Sequence, residues 1–574
     1  MNANPRPLSP HAVTLSSVAE CAGVPRTPHG VIDSRVVVTG VTLDSRAIRP
    51  GDLYAALPGA NVHGARFVGA AVGLGAVAVL TDPAGAALLA LGEITVPVLV
   101  VPDPRAALGA VAAMIYGRAS ETLTMLGITG TNGKTTTAYL LDSALRALGC
   151  VTGLIGTVET RIGEDRIKST RTTPESSDLH ALFAVMLESG VDTCTMEVSS
   201  HALALHRVDG VRYDVAAFTN LSQDHLDFHG SMEDYFLAKA SLFTPERAVR
   251  AVVCVDDEWG QRLARESAVP VVTVSSRQDL AADWQILTTG PGESAFELAG
   301  GDRRLSLRSA LPGDFNRVNT AVAALVLLAA GHPMNAIEAA LAADPHVPGR
   351  MEKVVLTGID DADQSHTDQS HTDQSHTDQT TADQTTADQS RLPLAVVDFA
   401  HTPDAVAAAL RALRHSTPGS LIVVLGAGGD RDRGKRAAMG EAAAAHADLV
   451  IVTDDNPRSE DPATIRAAVL AGAVAQERST RSVPGRIREI ADRAAAIHEA
   501  VAVAGAGDTV VVLGKGHESG QETAGVVHPF DDRTHLRAAL TERSASRNPS
   551  METAAPMENT VGHSVTHANH GETK

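Results

Sequence analysis

Short apolar runs alternate with alanine-rich stretches of helical spacing along almost the whole chain, and no other feature restricts the fold as much. Runs such as AVAVLT (76–81), VPVLVV (96–101), LTMLGIT (123–129), TCTMEV (193–198), AVVCV (251–255), LAVVDF (394–399), LIVVLG (421–426), LVIVT (449–453) and TVVVLG (509–514) read as strands. Residues 134–148, 318–330, 404–414 and 434–446 read as helices. Such alternation predicts an α/β fold with mostly parallel sheets. Ligands in these sheets sit at the carboxyl ends of the strands, so the loops there are the place to seek function. At 574 residues the chain suffices for several domains of ~100–200 residues each. No run approaches the ~20 uninterrupted apolar residues of a membrane span, so no membrane insertion is expected. The opening MNANPRPLSPHAV has no signal-peptide core, and Cys21, Cys150, Cys194 and Cys254 form no CxxC pair. Both observations fit a reducing cytoplasm. The net charge of −20 argues against a nucleic-acid partner.

Two segments fall outside any packed core. Residues 363–390 repeat a five-residue unit, DQSHT and then DQTTA, and the stretch 360–390 holds no Lys or Arg and almost nothing apolar. It cannot offset its ordering entropy by burial and is expected to be a disordered insert. His366, His371 and His376 recur there at a spacing that gives poor ligand geometry in a floppy chain. The tail, 541–574, is polar and aperiodic and is expected to be frayed. The insert and the strand before GTNGKTT place boundaries near 350 and near 105–120, giving units of 15–118, 119–350 and 351–540.

The sharpest local signal is LGITGTNGKTTT (126–137), an apolar strand running into a Gly-rich loop and then a helix. Backbone N–H groups of such a loop point at phosphate oxygens, and the helix N-terminus adds positive potential. Lys134 would reach the β/γ-phosphates and Thr135 would offer its hydroxyl to Mg²⁺. The strict Walker spacing fails, because Ile128 stands where it requires glycine, and a Gly-rich turn without ligand is the competing reading. Glu197 ends a strand at its carboxyl edge, followed by Ser199, Ser200 and His201; Asn220, Asp224, His225, Asp227 and His229 form a second polar group. Hard oxygen donors with an occasional imidazole suit Mg²⁺ shared with a triphosphate, whereas a polar turn with capping residues is the ordinary alternative. Only seven of the 48 basic residues are lysines: Lys134, Lys168, Lys239, Lys353, Lys435, Lys515 and Lys574. Ammonium and guanidinium are not interchangeable, so each retained lysine invites a chemical question. Lys239 lies on a predicted helix among apolar neighbours, where a snorkelling surface lysine is the plain alternative.

Taken in order, these segments resemble the Mur ligases, the ATP-dependent amide-forming enzymes of peptidoglycan precursor synthesis. The resemblance rests on GTNGKTT, MEVSSHAL (196–203), NLSQDHLDFHG (220–230), YFLAKASLF (235–243), GDFNRVNTAVA (313–323), PGRME (348–352), VVDFAHTPDAV (396–406), GAGGDRDRGKR (426–436), TDDNPRSEDP (453–462) and GKGHESGQ (514–521), and spans roughly 35–540. It implies an α/β protein of three domains: a nucleotide-sugar-binding N-terminal domain, a central parallel-sheet P-loop ATPase domain and a Rossmann-like C-terminal domain. Leu43 and Ser45 would contact the uridine of UDP-N-acetylmuramoyl-L-alanyl-D-glutamate, and Thr172, Thr173, Ser199 and Arg207 its muramoyl-dipeptide. Gly130, Thr131, Asn132, Gly133, Lys134, Thr135, Thr136, Asn319 and Arg350 would bind ATP. Thr135, Glu197, His225 and Lys239 would serve two Mg²⁺ ions, Lys239 as N6-carboxylysine, whose reversed charge makes sense among metal-binding groups. Lys134, Glu197, His225 and Lys239 form the implied catalytic set. Arg431, Asp455, Asn456, Pro457, Arg458, Gly514 and Glu518 would hold meso-diaminopimelate. An arginine at the fourth position of DNPR can pair bidentately with the distal carboxylate of that amino acid, which L-lysine lacks. The implied chemistry sends the γ-phosphoryl group of ATP to the D-Glu side-chain carboxylate and then lets the amine displace phosphate, with domain closure, in a cytoplasmic monomer serving cell-wall growth, cell shape and division.

Three positions depart from the family pattern: Phe399 for a common tyrosine, Ala427 for a frequent cysteine and Leu205 for a glutamine. His517 and Glu518 do not open a zinc-protease HExxH, because Gln521 stands at the last position. Three rivals share parts of the pattern. A ligase adding L-lysine is opposed by DNPR, a folylpolyglutamate-synthase-like ligase by the uridine segment and MEVSSHAL, and a nonligating nucleotide-binding protein by the intact Lys134, Glu197, His225 and Lys239 set.

Overall fold

The computed structural model describes residues 5–24, 35–59, 61–288, 290, 293–356, 392–479 and 485–547. The repeat at 360–390 and the tail from 548 lie outside the described residues. Three principal sheets follow one another along the chain. The first has four parallel strands in sequential order, Gly40–Thr42, Asp52–Ala55, Ala78–Thr81 and Val98–Val100. The third has six, of which Leu394–Asp398, Thr509–Leu513, Leu421–Leu425, Leu449–Val452 and Ile487–Glu489 run parallel, while Glu352–Lys353 pairs antiparallel at one edge.

The middle sheet positions the site. Strand Thr124–Thr129 lies between Thr193–Glu197 and Tyr213–Phe218, parallel to both, with Glu197 opposite Ile128 and Phe218 opposite Thr129. The carboxyl ends of all three strands therefore open onto one edge. Between its two threonines, strand Thr124–Thr129 is apolar because it faces two cores. Leu126 and Ile128 pack among residues of helices Lys134–Ala147 and Asp314–Ala329, and Met125 among those of helix Ser176–Glu188. Burying an aliphatic side chain of this size contributes roughly 1.5–3 kcal/mol, so the strand that feeds the loop is firmly fixed.

The middle sheet has the expected parallel strands with antiparallel edges added, and one boundary needs correction. The middle sheet has eleven strands and is parallel only in its centre; the hairpins Glu159–Ile162/Asp165–Lys168 and Ala295–Gly300/Arg303–Arg308 extend its edges antiparallel. Both turn at glycines with left-handed φ, Gly163 and Gly301. Strands such as Arg303–Arg308 alternate exposed and buried residues, so they lack the apolar run that marks the central strands. The tail also begins later than 541. Helix Asp532–Arg547 is continuous, with Leu536, Ala539 and Leu540 in the core of the third sheet. The Arg543 guanidinium donates to the carbonyls of Val501 and Ala502, 2.5 and 2.7 Å away. One more helical turn thus satisfies a buried arginine, which a polar composition does not disclose.

Candidate functional site

The loop after Thr129 is held open by two neighbours. Gly130 and Gly133 have φ of 149° and 89°, a region costly for residues with a Cβ. A Cβ at Gly130 would collide with Thr219 Oγ1, and one at Gly133 with Asn319 Oδ1. Asn220 pins the loop by accepting from the Asn132 N–H at 2.9 Å and donating to its carbonyl at 3.1 Å. Helix Lys134–Ala147 starts with no side-chain cap, so its first N–H groups face the loop with no capping side chain in the way. Lys134 Nζ folds back on this loop, donating to the carbonyls of Gly130 and Thr131 at 2.9 and 2.8 Å. Burial lowers the pKa of its ammonium, Glu197 and Asp224 oppose that shift, and Arg350 adds to it.

Glu197, 1% exposed, is fixed from three sides. It accepts from Thr135 Oγ1 at 2.9 Å, from the Thr157 N–H at 2.8 Å and from Thr157 Oγ1 at 3.0 Å. Arg350 Nη2 donates to Thr135 Oγ1 at 3.2 Å, and its guanidinium lies 4.3 Å over the Phe399 ring. That stacking gives the phenylalanine at 399 a contact that needs no hydroxyl. Lys239 is not a surface lysine. It is 1% exposed, donates to the Gly130 carbonyl at 2.8 Å and lies 4.6 Å from the Tyr235 ring centroid. Burial, reinforced by the Lys134 charge, holds its amine well below the ordinary value. Two lysines therefore converge on one carbonyl. His225 has left-handed φ and is pushed down to about 3, chiefly by burial, although Asp224 opposes the shift.

Asp224, a member of the second polar group, joins the middle and third sheets. Lys435 Nζ donates to it at 3.0 Å, and the His401 and His225 rings lie 3.6 and 3.5 Å away. Burial pushes its carboxyl up, but the neighbouring His401 and His225 imidazoles and the Lys435 ammonium prevail and hold it below the carboxylate range. Lys435 was one of the few lysines that the arginine-rich composition singled out, though nothing in the sequence indicated its partner.

A second part of the site is stitched from three strand ends of the third sheet. Asn456 donates to Glu518 Oε2 at 2.8 Å and accepts from Lys515 Nζ and the Glu522 N–H, both at 3.0 Å. Arg458, with φ of 52°, donates to the Gly429 carbonyl at 2.6 Å and lies 3.5 Å from Glu522. Pro457 shapes this turn without lining the cavity. Beneath them sits a pair that motif reading missed. Arg493 and Asp532, both with fully buried side chains, make a two-pronged ion pair at 2.7 Å. Arg493 also donates to the carbonyls of Leu513 and Asp454 and comes within 4.0 Å of Asp455. It thereby ties the Asp455 and Gly514 loops together.

All these parts open into one cavity of about 860 Å³. Residues Thr131–Thr136, Glu197, His225, Lys239, Asn319 and Arg350 line one side, and Arg431, Asp455, Asn456, Arg458, Gly514 and Glu518 the other. Thr172 and Ser199 also line it. Gly130 lies just behind the wall, as do Thr173 and Arg207: Thr173 donates to the Glu197 carbonyl at 2.9 Å, and Arg207 reaches the Thr173 carbonyl at 3.5 Å. Leu43 and Ser45 are not brought into this cavity. They follow strand Gly40–Thr42 of the first sheet, at its carboxyl end.

A phosphate loop and a separate, charge-lined pocket sharing one cavity suit an enzyme that activates an acid with ATP and then delivers an amine to it. Fold and site together define that class, an ATP-dependent ligase. Family models agree along the chain: Mur ligase family, catalytic domain, over 37–116; Mur ligase middle domain over 128–327; and Mur ligase, glutamate ligase domain, over 384–516. A Streptomyces avermitilis protein named UDP-N-acetylmuramoyl-L-alanyl-D-glutamate–2,6-diaminopimelate ligase is 52% identical over 539 residues, which cover 93% of this chain and 98% of that one. A solved structure of a ligase with the same name is 28% identical, with a TM-score of 0.60 over 93% of this chain and 99% of the other. The Thermotoga maritima MurF ligase, solved with ADP, shares the fold at 18% identity and a TM-score of 0.57, over 88% and 98% of the two chains. The chain belongs to the Mur ligase family. Among the described residues no helix is long and apolar enough to cross a membrane.

Proposed function

We propose that the chain joins meso-2,6-diaminopimelate to the D-Glu side-chain carboxylate of UDP-N-acetylmuramoyl-L-alanyl-D-glutamate, using ATP, in peptidoglycan precursor synthesis. The observation that carries this reading is the shared cavity, which the phosphate loop and the DNPR turn both line; the name of the 52% identical relative supports it. ATP lies with its phosphates in the Gly130–Thr136 loop, on the N–H groups that Asn220 leaves free, and Asn319 and Arg350 hold the nucleotide. Lys134 leaves its loop carbonyls for phosphate oxygens, and its charge meets the charge that develops during phosphoryl transfer. The D-Glu carboxylate becomes an acyl phosphate, which the free amine of diaminopimelate attacks with loss of phosphate. Arg458 and Arg431 hold the distal carboxylate of that amino acid, and Asp455, Asn456 and Glu518 its distal amino group. Leu43 and Ser45 hold the uridine, and Thr172, Thr173, Ser199 and Arg207 the dipeptide.

The donor set fits Mg²⁺. A hydroxyl and a carboxylate, Thr135 and Glu197, stand 2.9 Å apart beside the loop, and such oxygens together with phosphates are what this ion prefers. When bound, Mg²⁺ neutralises phosphate charge. His225 is held neutral by burial, as an imidazole ligand must be. Burial holds the Lys239 amine well below its ordinary value, which favours the unprotonated form that adds CO₂ to give the carbamate of N6-carboxylysine. Supplying ¹³C-bicarbonate should then give a carbamate carbon signal that Lys239→Arg abolishes. The reading as a whole is tested by incubating enzyme, ATP, Mg²⁺ and the UDP-muramoyl-dipeptide with meso-diaminopimelate or with L-lysine and weighing the products. A tripeptide product with diaminopimelate alone is expected; product with lysine would overturn the role given to Arg458.

A further inference from the structure

Beside the wall formed by Thr172 and Ser199 lies an unusual concentration of charge. The Glu175 carboxylate receives three arginines. Arg171 Nη1 donates to it at 2.5 Å, Arg105 Nη1 donates at 3.0 Å and Arg207 Nε lies 3.0 Å away. Three guanidiniums on one carboxylate leave two positive charges uncompensated within the cluster. Glu175 occupies the N-cap position of helix Ser176–Glu188, yet its side chain makes no capping hydrogen bond. A carboxylate would ordinarily stabilise such a helix end; this one is committed to the arginines instead. Arg207 faces Glu175 as an ion pair without a hydrogen bond at its Nε, and its Nη1 reaches the Thr173 carbonyl at 3.5 Å. Thr173 in turn contacts Ser199 of the cavity wall at 3.3 Å.

The three arginines come from different parts of the chain. Arg105 opens helix Pro104–Ile115, whose Leu108, Val111, Ala112 and Ile115 belong to the core of the first sheet. That helix is seated closely on the middle unit, since a Cβ at Gly109 would collide with Asp209. Arg171 and Arg207 belong to the middle unit's loops. Glu175 therefore links the unit that would hold the uridine to the arginine that would meet the dipeptide.

We propose that Glu175 is a positioning residue that anchors Arg207 for a substrate carboxylate, and that Arg105 makes this placement depend on how the first unit is seated. The inference rests on the substrate reading given above. The carboxylate in question is the one on the D-Glu residue that is not activated: the activated one must lie at the phosphate loop, so the other needs a cation away from it. Arg105 and Arg171 offset the Glu175 charge and limit its competition with the incoming carboxylate for Arg207.

The test is steady-state kinetics of Glu175→Gln, Glu175→Asp, Arg105→Ala and the double variant Glu175→Gln/Arg105→Ala, with each of the three substrates varied in turn. Glu175→Gln should raise KM for the UDP-muramoyl-dipeptide about tenfold, the effect of losing the ion pair that holds the Arg207 guanidinium in place. Its kcat and its KM for ATP and for diaminopimelate should stay within about twofold, the pattern of lost ground-state placement. Glu175→Asp should recover part of the loss. Arg105→Ala, a change at a partly exposed residue that leaves the core intact, should raise the same KM about threefold, and the double variant should be no worse than Glu175→Gln alone, because both act through one carboxylate. An unchanged dipeptide KM, a parallel rise in all three KM values or additive effects would overturn the inference while leaving the substrate reading in place. Failure of the unsubstituted enzyme to use the UDP-muramoyl-dipeptide would overturn that reading, and this inference with it.

Discussion

The two sides of the cavity are built on different principles. The proposed phosphate side is mostly backbone: seven consecutive residues, Gly130 to Thr136, shaped by two left-handed glycines and by Asn220, which takes the N–H groups of Thr131 and Asn132 and leaves the rest of the loop free. The amine side is mostly side chain: Arg431, the Asp455–Arg458 turn and the Gly514–Glu518 turn arrive from three strand ends and are tied together from below by Arg493. A backbone cradle recognises what all nucleotides share, because every residue has an N–H. Side chains from separate strands can be exchanged one at a time, so selectivity resides there.

That contrast predicts a graded set of effects. The largest falls on the phosphate side. Lys134→Met should lower kcat by about 10³-fold with every amino acid offered, since it removes the charge nearest the transferring phosphoryl group; a loss confined to one amino acid would break the contrast. Next comes the support of the amine side. Asp532→Asn leaves the buried Arg493 charge uncompensated and should cost about 3–5 kcal/mol of folding stability, read from urea unfolding. Arg458→Lys should then reduce kcat/KM for diaminopimelate by about 10–100-fold, as a bidentate fork becomes a point charge, with KM for ATP unchanged. An equal rise in both KM values would show that the two sides do not act separately.

A pH prediction applies to both sides. His225 and His517, one on each, are pushed from 6.5 down to about 3, mainly by burial. Their folded values lie below the unfolded one, so the folded state binds fewer protons at acidic pH. The stability they contribute is complete above pH 6.5 and lost as the pH falls toward 3. The melting temperature should accordingly drop steadily from pH 7 to pH 4, and a flat profile would contradict the burial of these rings. The smallest effect is expected for Phe399→Tyr. Its ring already stacks under Arg350 at 4.3 Å, so kcat should change by no more than about twofold.

The same division explains what the sequence made legible. The phosphate loop is contiguous and its chemistry is local, so strand, glycines, Lys134 and Thr135 could be read from one short segment. The central strands were legible because burial on both faces leaves an unbroken apolar run. The edge hairpins were not, because strands such as Arg303–Arg308 alternate and resemble polar loops. Contacts between distant segments left almost no local trace. Nothing near Asp224 announces Lys435, nothing near Arg493 announces Asp532, and Glu175 looks like a helix cap rather than the hub of three arginines. Lysine scarcity pointed to Lys435 and Lys239 as chemically distinctive, but only the packing shows one in an ion pair and the other as a buried amine.

The central claim is that a carboxylate activated at the phosphate loop is passed, within one cavity, to an amine held by the third sheet. The most direct measurement uses UDP-N-acetylmuramoyl-L-alanyl-D-glutamate labelled with ¹⁸O in the D-Glu side-chain carboxylate, turned over with ATP and meso-diaminopimelate. The account predicts that one labelled oxygen appears in the released phosphate for each tripeptide formed. Phosphate without label, alongside tripeptide product, would contradict activation through an acyl phosphate.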